Sequence, residues 1–268
     1  MNQVDCPLIS VIIPSYNYGR FIRQCIDNCL AQNVTKEIIV IDGGSTDGTV
    51  DFLRAYGNQI QWVSERDRGQ SDAINKGVRL ACGEVIAWLN ADDFYPHSES
   101  LKIVADNFSG DPEVDIVFGD GKCVDVNGGT FRQVSAPQTL TWKDLLLGPG
   151  CCVFQPSLFF RRSLFSDAGG VDVNLYYAMD LDLWLRMLPL ARKVVRVPQV
   201  LSCLRVHHDA KTFSGLRRSF DEAYVVKRKY RSRVKLTLHE HFRFMYGWMR
   251  INAYWLAVLL HLKKATPT

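Results

Sequence analysis

The chain has 268 residues, 47% of them hydrophobic and 22% charged, and a formal net charge of +4. This is ordinary globular composition, with enough apolar residues for a large core that needs no metal or disulfide staples. The length fits one large α/β domain with a C-terminal extension, or two small domains.

The basic residues gather late. Between 217 and 235 stand Arg217, Arg218, Lys227, Arg228, Lys229, Arg231, Arg233 and Lys235, against only Asp221 and Glu222. This basic stretch carries no recognisable nucleic-acid module, so no nucleic-acid partner is expected. The cysteines Cys6, Cys25, Cys29, Cys82, Cys123, Cys151, Cys152 and Cys203 are scattered, several inside apolar runs, without a paired C-x-x-C framework. The polar start, Met1 to Asp5, does not read as a secretory signal. A reducing, cytoplasmic compartment is the expectation.

The first 120 residues alternate strand and helix patterns. Leu8 to Ile13 predicts a β-branched strand stopped by Pro14, and Tyr18 to Gln32 a helix with Phe21, Ile22, Cys25, Ile26 and Cys29 on one stripe. A strand over Glu37 to Ile41, a helix over Asp47 to Tyr56 and a short strand over Gln59 to Val63 follow. Next come a helix over Gln70 to Ala81, a strand over Glu84 to Leu89, a helix over His97 to Phe108 and a strand over Val114 to Gly119. Such alternation implies a mainly parallel, right-handed sheet with helices on both faces.

After residue 120 the rhythm changes. Asn127-Gly128-Gly129, inside the alternating run Lys122 to Val134, signals a hairpin. Cys151 to Phe160 reads as a strand interrupted by Gln155-Pro156-Ser157. Ala178 to Leu190 reads as a helix, Val194 to Val197 and Val200 to Val206 as short strands, and Phe213 onward as long helix.

Four loops fall at predicted strand ends, where open α/β sheets bind ligands. Pro14-Ser15-Tyr16-Asn17 offers Pro14 and Tyr16 as a stiff, flat surface for a base. Asp42 can accept a hydrogen bond from a base imide, and Gly43 and Gly44 let the backbone approach a ligand closely. Asp47 reads most simply as a helix N-cap. The third loop, Glu65 to Gln70, runs into the helix bearing Asp72, Asn75 and Lys76. In the fourth, Asn90-Ala91-Asp92-Asp93, two adjacent carboxylates leave a hydrophobic strand. A bare carboxylate pair is costly inside a sheet and suits a hard divalent cation at its edge; a plain turn is the alternative. No P-loop and no G-x-G-x-x-G follows the first strand, which removes P-loop NTPases and dinucleotide dehydrogenases.

Two further clusters lie downstream. Asp180 opens a predicted helix, as an N-cap or a working carboxylate, while Asp182 and Arg186 have salt-bridge spacing. Arg205 and His207 share one face of a predicted strand, where His207 could pack, ligate a metal or touch a phosphate.

Taken together, these segments resemble the family 2 glycosyltransferases of GT-A fold, an α/β, Rossmann-like architecture. The resemblance rests on V-I-I-P-S-Y-N at 11–17, I-D-G-G-S-T-D-G-T at 41–49, S-E-R-D-R-G-Q-S-D-A-I-N-K-G at 64–77 and G-E-V-I-A-W-L-N-A-D-D at 83–93. Q-P-S at 155–157, M-D-L-D-L-W-L-R at 179–186 and R-V-H at 205–207 extend it. It implies a nucleotide-sugar site of Pro14, Ser15, Tyr16, Asn17, Asp42, Gly44, Gly69, Asp72, Asn75 and Asp92. It also implies Asp93 and His207 as metal contacts for Mg²⁺ or Mn²⁺, and Asp180 as the catalytic base. Asn90 departs from the family's usual first Asp of a D-x-D, and Met179 from the usual Glu before the base.

The resemblance implies an inverting transfer from a nucleotide-diphosphate sugar, a UDP-sugar by preference, to a glycan or lipid-linked acceptor in bacterial surface polysaccharide synthesis. The rivals are a sugar-nucleotidyltransferase, which would want a basic Gly-rich loop after the first strand, and a degenerate scaffold lacking activity. The expected division is a transferase domain over 1–212 and a basic, amphipathic helical extension over 213–268. The extension is expected to make peripheral contact with the inner face of a membrane; packing on the domain, or a homodimer through these helices, is the alternative. The run Phe242 to Leu262 is too interrupted by Arg243, Arg250 and Asn252 to cross a bilayer.

Overall fold

The computed structural model describes residues 8–148, 153–211 and 215–232, with single positions at 234, 235, 237, 238, 240, 242 and 246. Four parallel strands form one half of the sheet: β1 (Ile9–Ser15), β2 (Lys36–Asp42), β3 (Gln61–Ser64) and β4 (Val85–Trp88), in the order β3-β2-β1-β4. The helices α1 (Gly19–Leu30), α2 (Thr49–Ala55) and α3 (Gln70–Leu80) connect them. Alternation along β1 divides the core. Ile9, Val11 and Ile13 pack with Ile22, Ile26 and Leu53 of α1 and α2, while Ile12 packs with Ile74 and Val78 of α3 on the other face.

The rest of the sheet is mixed. After α4 (Ser100–Gly110) come β5 (Val114–Val124), β6 (Thr130–Val134), α5 (Trp142–Leu147), β7 (Leu158–Arg161) and α6 (Arg162–Asp167). The short β7 lies between β4 and β5, antiparallel to both. The far edge of β5 carries β8 (Lys193–Arg205) in parallel. Between them in sequence stands α7 (Met179–Met187), and α8 (Leu216–Arg231) closes the described chain. Trp184 of α7 is buried against Trp88 and Phe160, so α7 and α3 share one core.

Several expectations need correction. Pro14 does not stop β1, which runs on to Ser15. Along β1, Ile12 faces β4, accepting a bond from Leu89 N–H, and the β1–β4 ladder ends at that residue. Pro14, two residues on, turns its missing donor toward the same, already unpaired side. Likewise Pro198 does not split β8; it falls where the pairing jumps from Gly119↔Val197 to Asp120↔Val200, and the bulge absorbs it. The strand expected over Cys151 to Phe160 shrinks to β7 behind a single turn at Gln155–Ser157. The helices α5 and α6, too short for a periodic signal, were not expected. The β5–β6 hairpin is as expected, with Gly128 at φ 90°. The helix expected from Phe213 is seen as α8, and the run from Phe242 to Leu262 lies almost wholly outside the described residues. No helix among the described residues is long and apolar enough to cross a membrane.

Gly77 sets how closely α3 approaches the sheet, because a Cβ there would lie 2.4 Å from Ile12 Cγ2. Overpacking of this kind costs about 1–3 kcal/mol. Gly77→Val should lose about that much stability in urea denaturation; an unchanged midpoint would mean that α3 shifts freely.

Candidate active site

The four parallel strands end at Ser15, Asp42, Ser64 and Trp88, and the loops after them meet along one edge. Asp42 is fully buried and organises the second loop. Its carboxylate accepts from Gly44 N (3.1 Å), Ser45 N (2.9 Å), Ser64 Oγ (2.6 Å) and the Ser45 hydroxyl. Gly44 takes φ 83° here, a backbone that side-chain-bearing residues rarely adopt. Asn17, at φ 57°, joins the first loop to the second: its N–H donates to Ser45 Oγ (2.7 Å) and its Oδ1 accepts from Thr46 N (2.9 Å). Asp47 accepts from Gly19 N (2.8 Å) and Thr49 N (3.1 Å), tying together the starts of α1 and α2. Pro14 is buried within β1, Ser15 Oγ is buried without a hydrogen-bond partner, and the Tyr16 ring stands 61% exposed at the rim.

The third loop starts α3. Gly69, at φ 104°, donates to Asp67 Oδ1 (2.8 Å). Burial alone would raise the pKa of Asp72, but the Arg68 amide, Lys76 and the Arg68 guanidinium outweigh it and hold the carboxyl below its usual range. Asn75, expected as a nucleotide contact, is placed against the segment before α7. Its Oδ1 accepts from Val171 N (2.9 Å) and its Nδ2 donates to Val171 O (2.8 Å), so both ends of the amide clamp a distant backbone. Ser71 Oγ, one turn earlier, donates to Leu175 O (2.9 Å). Together they fasten the segment that leads into α7.

At the fourth loop Asp92 and Asp93 are both buried. Arg205, buried beneath them, reaches across. Its N–H donates to Asp93 Oδ1 (2.9 Å) and its Nε to Asp92 O (2.9 Å), while its guanidinium lies 5.1 and 5.2 Å from the Phe21 and Phe94 rings. His207 Nε2 stands 3.0 Å from an Asp92 oxygen, and its buried Nδ1 has no hydrogen-bond partner. So the structure brings His207 to Asp92 rather than to Asp93. Asn90 is a hub. Its Oδ1 accepts from Gln70 Nε2 (2.7 Å) and Trp88 Nε1 (3.1 Å); its Nδ2 donates to Asp93 Oδ2 (3.3 Å) and Gln155 Oε1 (3.1 Å).

Burial, and the Asp92 charge beside it, push the Asp93 carboxyl well above its usual range; Arg205 and Asn90 offset this only in part. A carboxylate pair short of positive charge fits a divalent cation. Among the described residues no three His, Cys, Asp or Glu side chains come together as a metal-ligand group.

On the other side stands Asp180, in the first turn of α7. Burial raises its pKa to about 6; the Leu181 amide and Lys211 oppose the rise and Glu222 adds to it. Part of its surface stays open to solvent. Lys211 Nζ lies 4.1 Å from the centre of the Tyr176 ring and donates to Gln70 Oε1 (2.8 Å). Burial lowers its pKa to about 8, against the pull of Glu222 and Asp180. A relay therefore runs from Lys211, beside Asp180, through Gln70 and Asn90 to Asp93.

The sequence family described as "Glycosyl transferase family 2" matches residues 10–169. The chain belongs to that family. Family 2 relatives include an uncharacterized glycosyltransferase of Rickettsia typhi, 33% identical over 217 residues, covering 77% of this chain and 66% of that protein. A "PGL/p-HBAD biosynthesis glycosyltransferase" of Mycobacterium bovis is 32% identical over 186 residues, covering 67% of this chain and 69% of that one. The chain spans just under two thirds of the Rickettsia typhi protein and 33% of a Rickettsia felis relative. Among solved structures, a mannosyltransferase from Pyrobaculum calidifontis in complex with GDP-Man and Mn²⁺ superposes with TM-score 0.66 at 21% identity, over 99% of this chain and 77% of that one. S. aureus TarS in complex with UDP-GlcNAc gives 0.63 at 18%, over 89% and 79%. The fold is GT-A.

In this family 2 chain, Gln70, Gln155, Arg205, Lys211 and Glu222 were not singled out as site residues from sequence. The first three lie inside the matched motifs, and Lys211 sits four residues past His207. Glu222 carried no local signal.

Asn90 needs both ends of an amide, since it donates to one carboxylate and accepts from two donors. Asn90→Asp would bury a third carboxylate beside Asp93, with its folded pKa raised above the unfolded value near 4. Such a group is harmless while protonated and destabilises as pH rises past the unfolded pKa. With a chelator present, the stability lost relative to wild type should grow from pH 5 to pH 8, reaching about 2 kcal/mol or more in urea titrations. A loss that stays constant with pH would refute the charge argument.

Proposed function

We propose that the chain is an inverting glycosyltransferase. It moves a sugar from a nucleotide-diphosphate donor, a UDP-sugar by preference, to a hydroxyl of a glycan or lipid-linked acceptor in bacterial surface polysaccharide synthesis. The observation that carries this reading is Asp180: a carboxyl with a pKa raised to about 6, partly open to solvent, within the electrostatic reach of Lys211, from which hydrogen bonds run through Gln70 and Asn90 to Asp93. A carboxylate of that basicity is suited to take a proton from a hydroxyl near neutral pH. Tyr16, Asp42 and the loops at Gly44 and Gly69 receive the nucleotide, with Asp72 beside them and Asp92 toward the ribose and diphosphate. Complexes of similar folds with UDP-GlcNAc and with GDP-Man and Mn²⁺ support such a donor.

Asp93, next to Asp92 and the His207 that meets it, would hold Mg²⁺ or Mn²⁺, which would supply charge to stabilise the departing diphosphate. The acceptor oxygen attacks the anomeric carbon from the face opposite the diphosphate, its proton passes to Asp180, and the bond to the diphosphate oxygen breaks. No covalent sugar–enzyme intermediate is needed. Positioning of the two substrates supplies much of the acceleration. The scaffold alternative predicts no turnover with any donor.

The chain works at the inner face of the cytoplasmic membrane in this reading. The outward side of α8 carries exposed Arg217, Arg218, Arg228 and Lys229 with exposed Tyr224 and Val225, and Leu238, Phe242 and Tyr246 beyond it are exposed too. Basic side chains near anionic lipid contribute about 1 kcal/mol each, and apolar ones add burial.

Two measurements test these statements. With a panel of nucleotide sugars and Mn²⁺, wild-type turnover should rise with pH through about 6, as Asp180 loses its proton. Asp180→Asn keeps the oxygen that accepts from Leu181, so melting and donor binding should hold while turnover falls by about 10² or more. Turnover within a few-fold of wild type would remove Asp180 as the base. In flotation with anionic liposomes at low salt, the full chain should rise and neutral liposomes should leave it at the bottom. Equal recovery on both would end the membrane reading and favour the helices as a homodimer contact, read by light scattering.

A further inference from the structure

We propose that Glu222, on α8, is a positioning residue for the transfer step: its carboxylate fixes the backbone that presents Asp180 and the Tyr176–Lys211 contact. The inference rests on the reading of Asp180 as the base. Three successive amides before α7 converge on this one side chain. Tyr176 N donates to Oε1 (3.0 Å), and Tyr177 N and Ala178 N (2.7 Å) donate to Oε2. The donors lie 44 to 46 residues away in the chain.

A helix start leaves its first amides unsatisfied and favours negative charge. The N-cap residue of α7 is Ala178, which has no side-chain acceptor to offer. Glu222 instead binds the amide of that N-cap residue and those of the two residues before it, so α8 fixes the backbone that runs into the first turn of α7. Asp180 lies in that turn.

The contacts around Glu222 extend its reach beyond capping. Tyr176, fixed by its own N–H, lays its ring 4.1 Å from Lys211 Nζ, and Tyr177 stands edge-on to Tyr176 at 4.7 Å. The Tyr177 ring also packs on Gly215 at the start of α8, where a side chain would overlap it. Lys211 in turn donates to Gln70, the first link of the relay toward Asp93. One carboxylate thus organises the backbone before the base and the cation next to it. Among the described residues, the charged groups facing this cluster include Asp180 from α7, Glu222 from α8 and Lys211 from the loop after β8; Tyr176 and Tyr177 add phenols, Tyr18 and Asp209 lie within electrostatic reach, and Gln70 of α3 is neutral. Asp182, also on α7, pairs with Arg186 of its own helix and with Tyr230 and Lys229 of α8 instead.

Glu222 raises the pKa of Asp180 and of Lys211 alike. Removing its charge should lower both, so the pH profile should move as a whole toward acid. A merely structural cap would cost stability without moving the profile.

The test compares full-length wild type, Glu222→Gln and Glu222→Ala. Backbone hydrogen exchange, which needs no substrate, should speed at least tenfold at residues 176–178 in Glu222→Ala. Turnover of the UDP-sugar selected by the panel, with Mn²⁺, should fall at least tenfold in kcat for both variants, with donor KM changed less than threefold. In Glu222→Gln the limbs of the pH profile should shift to lower pH. Unchanged exchange, wild-type kcat, or a kcat loss with unshifted limbs would each overturn the proposal. Asp180→Asn separates the two claims. If it is inactive while the Glu222 variants match wild type, only the positioning role fails. If it stays active, the base assignment falls and this inference with it.

Discussion

Two carboxylates side by side at a strand end, both buried, are the constraint around which the rest of this structure is arranged. Asp92 and Asp93 leave β4 where the sheet interior stops, and neither has water enough to stabilise its charge. The protein answers with one deep cation and several dipoles. Arg205 sits beneath the pair, yet its Nε meets the Asp92 carbonyl rather than the carboxylate oxygens, and its other nitrogens reach Val126 O and Gln24 Oε1. Asp93 therefore keeps a raised pKa and the pair remains under-neutralised. That imbalance is what the proposed metal ion and phosphorylated donor would relieve. It also explains why β8 must run the whole length of β5. Only its far end delivers Arg205 and His207 beneath the loop.

Asn90 illustrates how a departure from the family pattern is absorbed. A third carboxylate at this position would add to the charge already crowding Asp93. The amide instead accepts from Gln70 and Trp88 and donates to Asp93 and Gln155, which no carboxylate could do at neutral pH. Gln155 in turn donates to Trp88 O (2.9 Å), so the turn before β7 is locked to the strand it flanks. The antiparallel insertion of β7 places that turn where Asn90 needs it.

The first half of the fold was legible because each element there carries its own signal. The alternation of Ile9, Val11 and Ile13 against Ile12 marks a strand buried on both faces, and the stripe Phe21, Ile22, Cys25, Ile26, Cys29 marks a helix with one buried side. Where the reading slipped, the missing information was non-local. Whether Pro14 breaks a strand depends on which neighbour still pairs with it, and whether Pro198 does depends on a bulge against β5. The direction of β7 is set by its partners, since four residues cannot specify it. In the site, residue types were legible and their uses less so. Asn75 looks like a ligand contact from its motif, yet both ends of its amide hold Val171, a choice fixed only once α6 and α7 are packed.

The same distinction bears on how the chain is divided. By composition the basic stretch after 212 separates cleanly from what precedes it, because charge density is a local property. The burial of α8 shows how this stretch meets the rest of the fold. Val226 and Tyr230 enter the core shared by α5 and α7, Tyr230 Oη donates to Asp182 (2.8 Å), and Lys227 Nζ donates to Gly148 O (2.7 Å). Arg217, Arg218 and Arg228 are exposed, while Val226, Tyr230 and Glu222 turn toward the domain. An amphipathic helix can thus serve two masters at once: the face that could meet a surface is the one left over after the other has been committed to the site. Cutting the chain at 212 would remove the acceptor of three successive amides at 176–178, the segment that leads into the turn bearing Asp180.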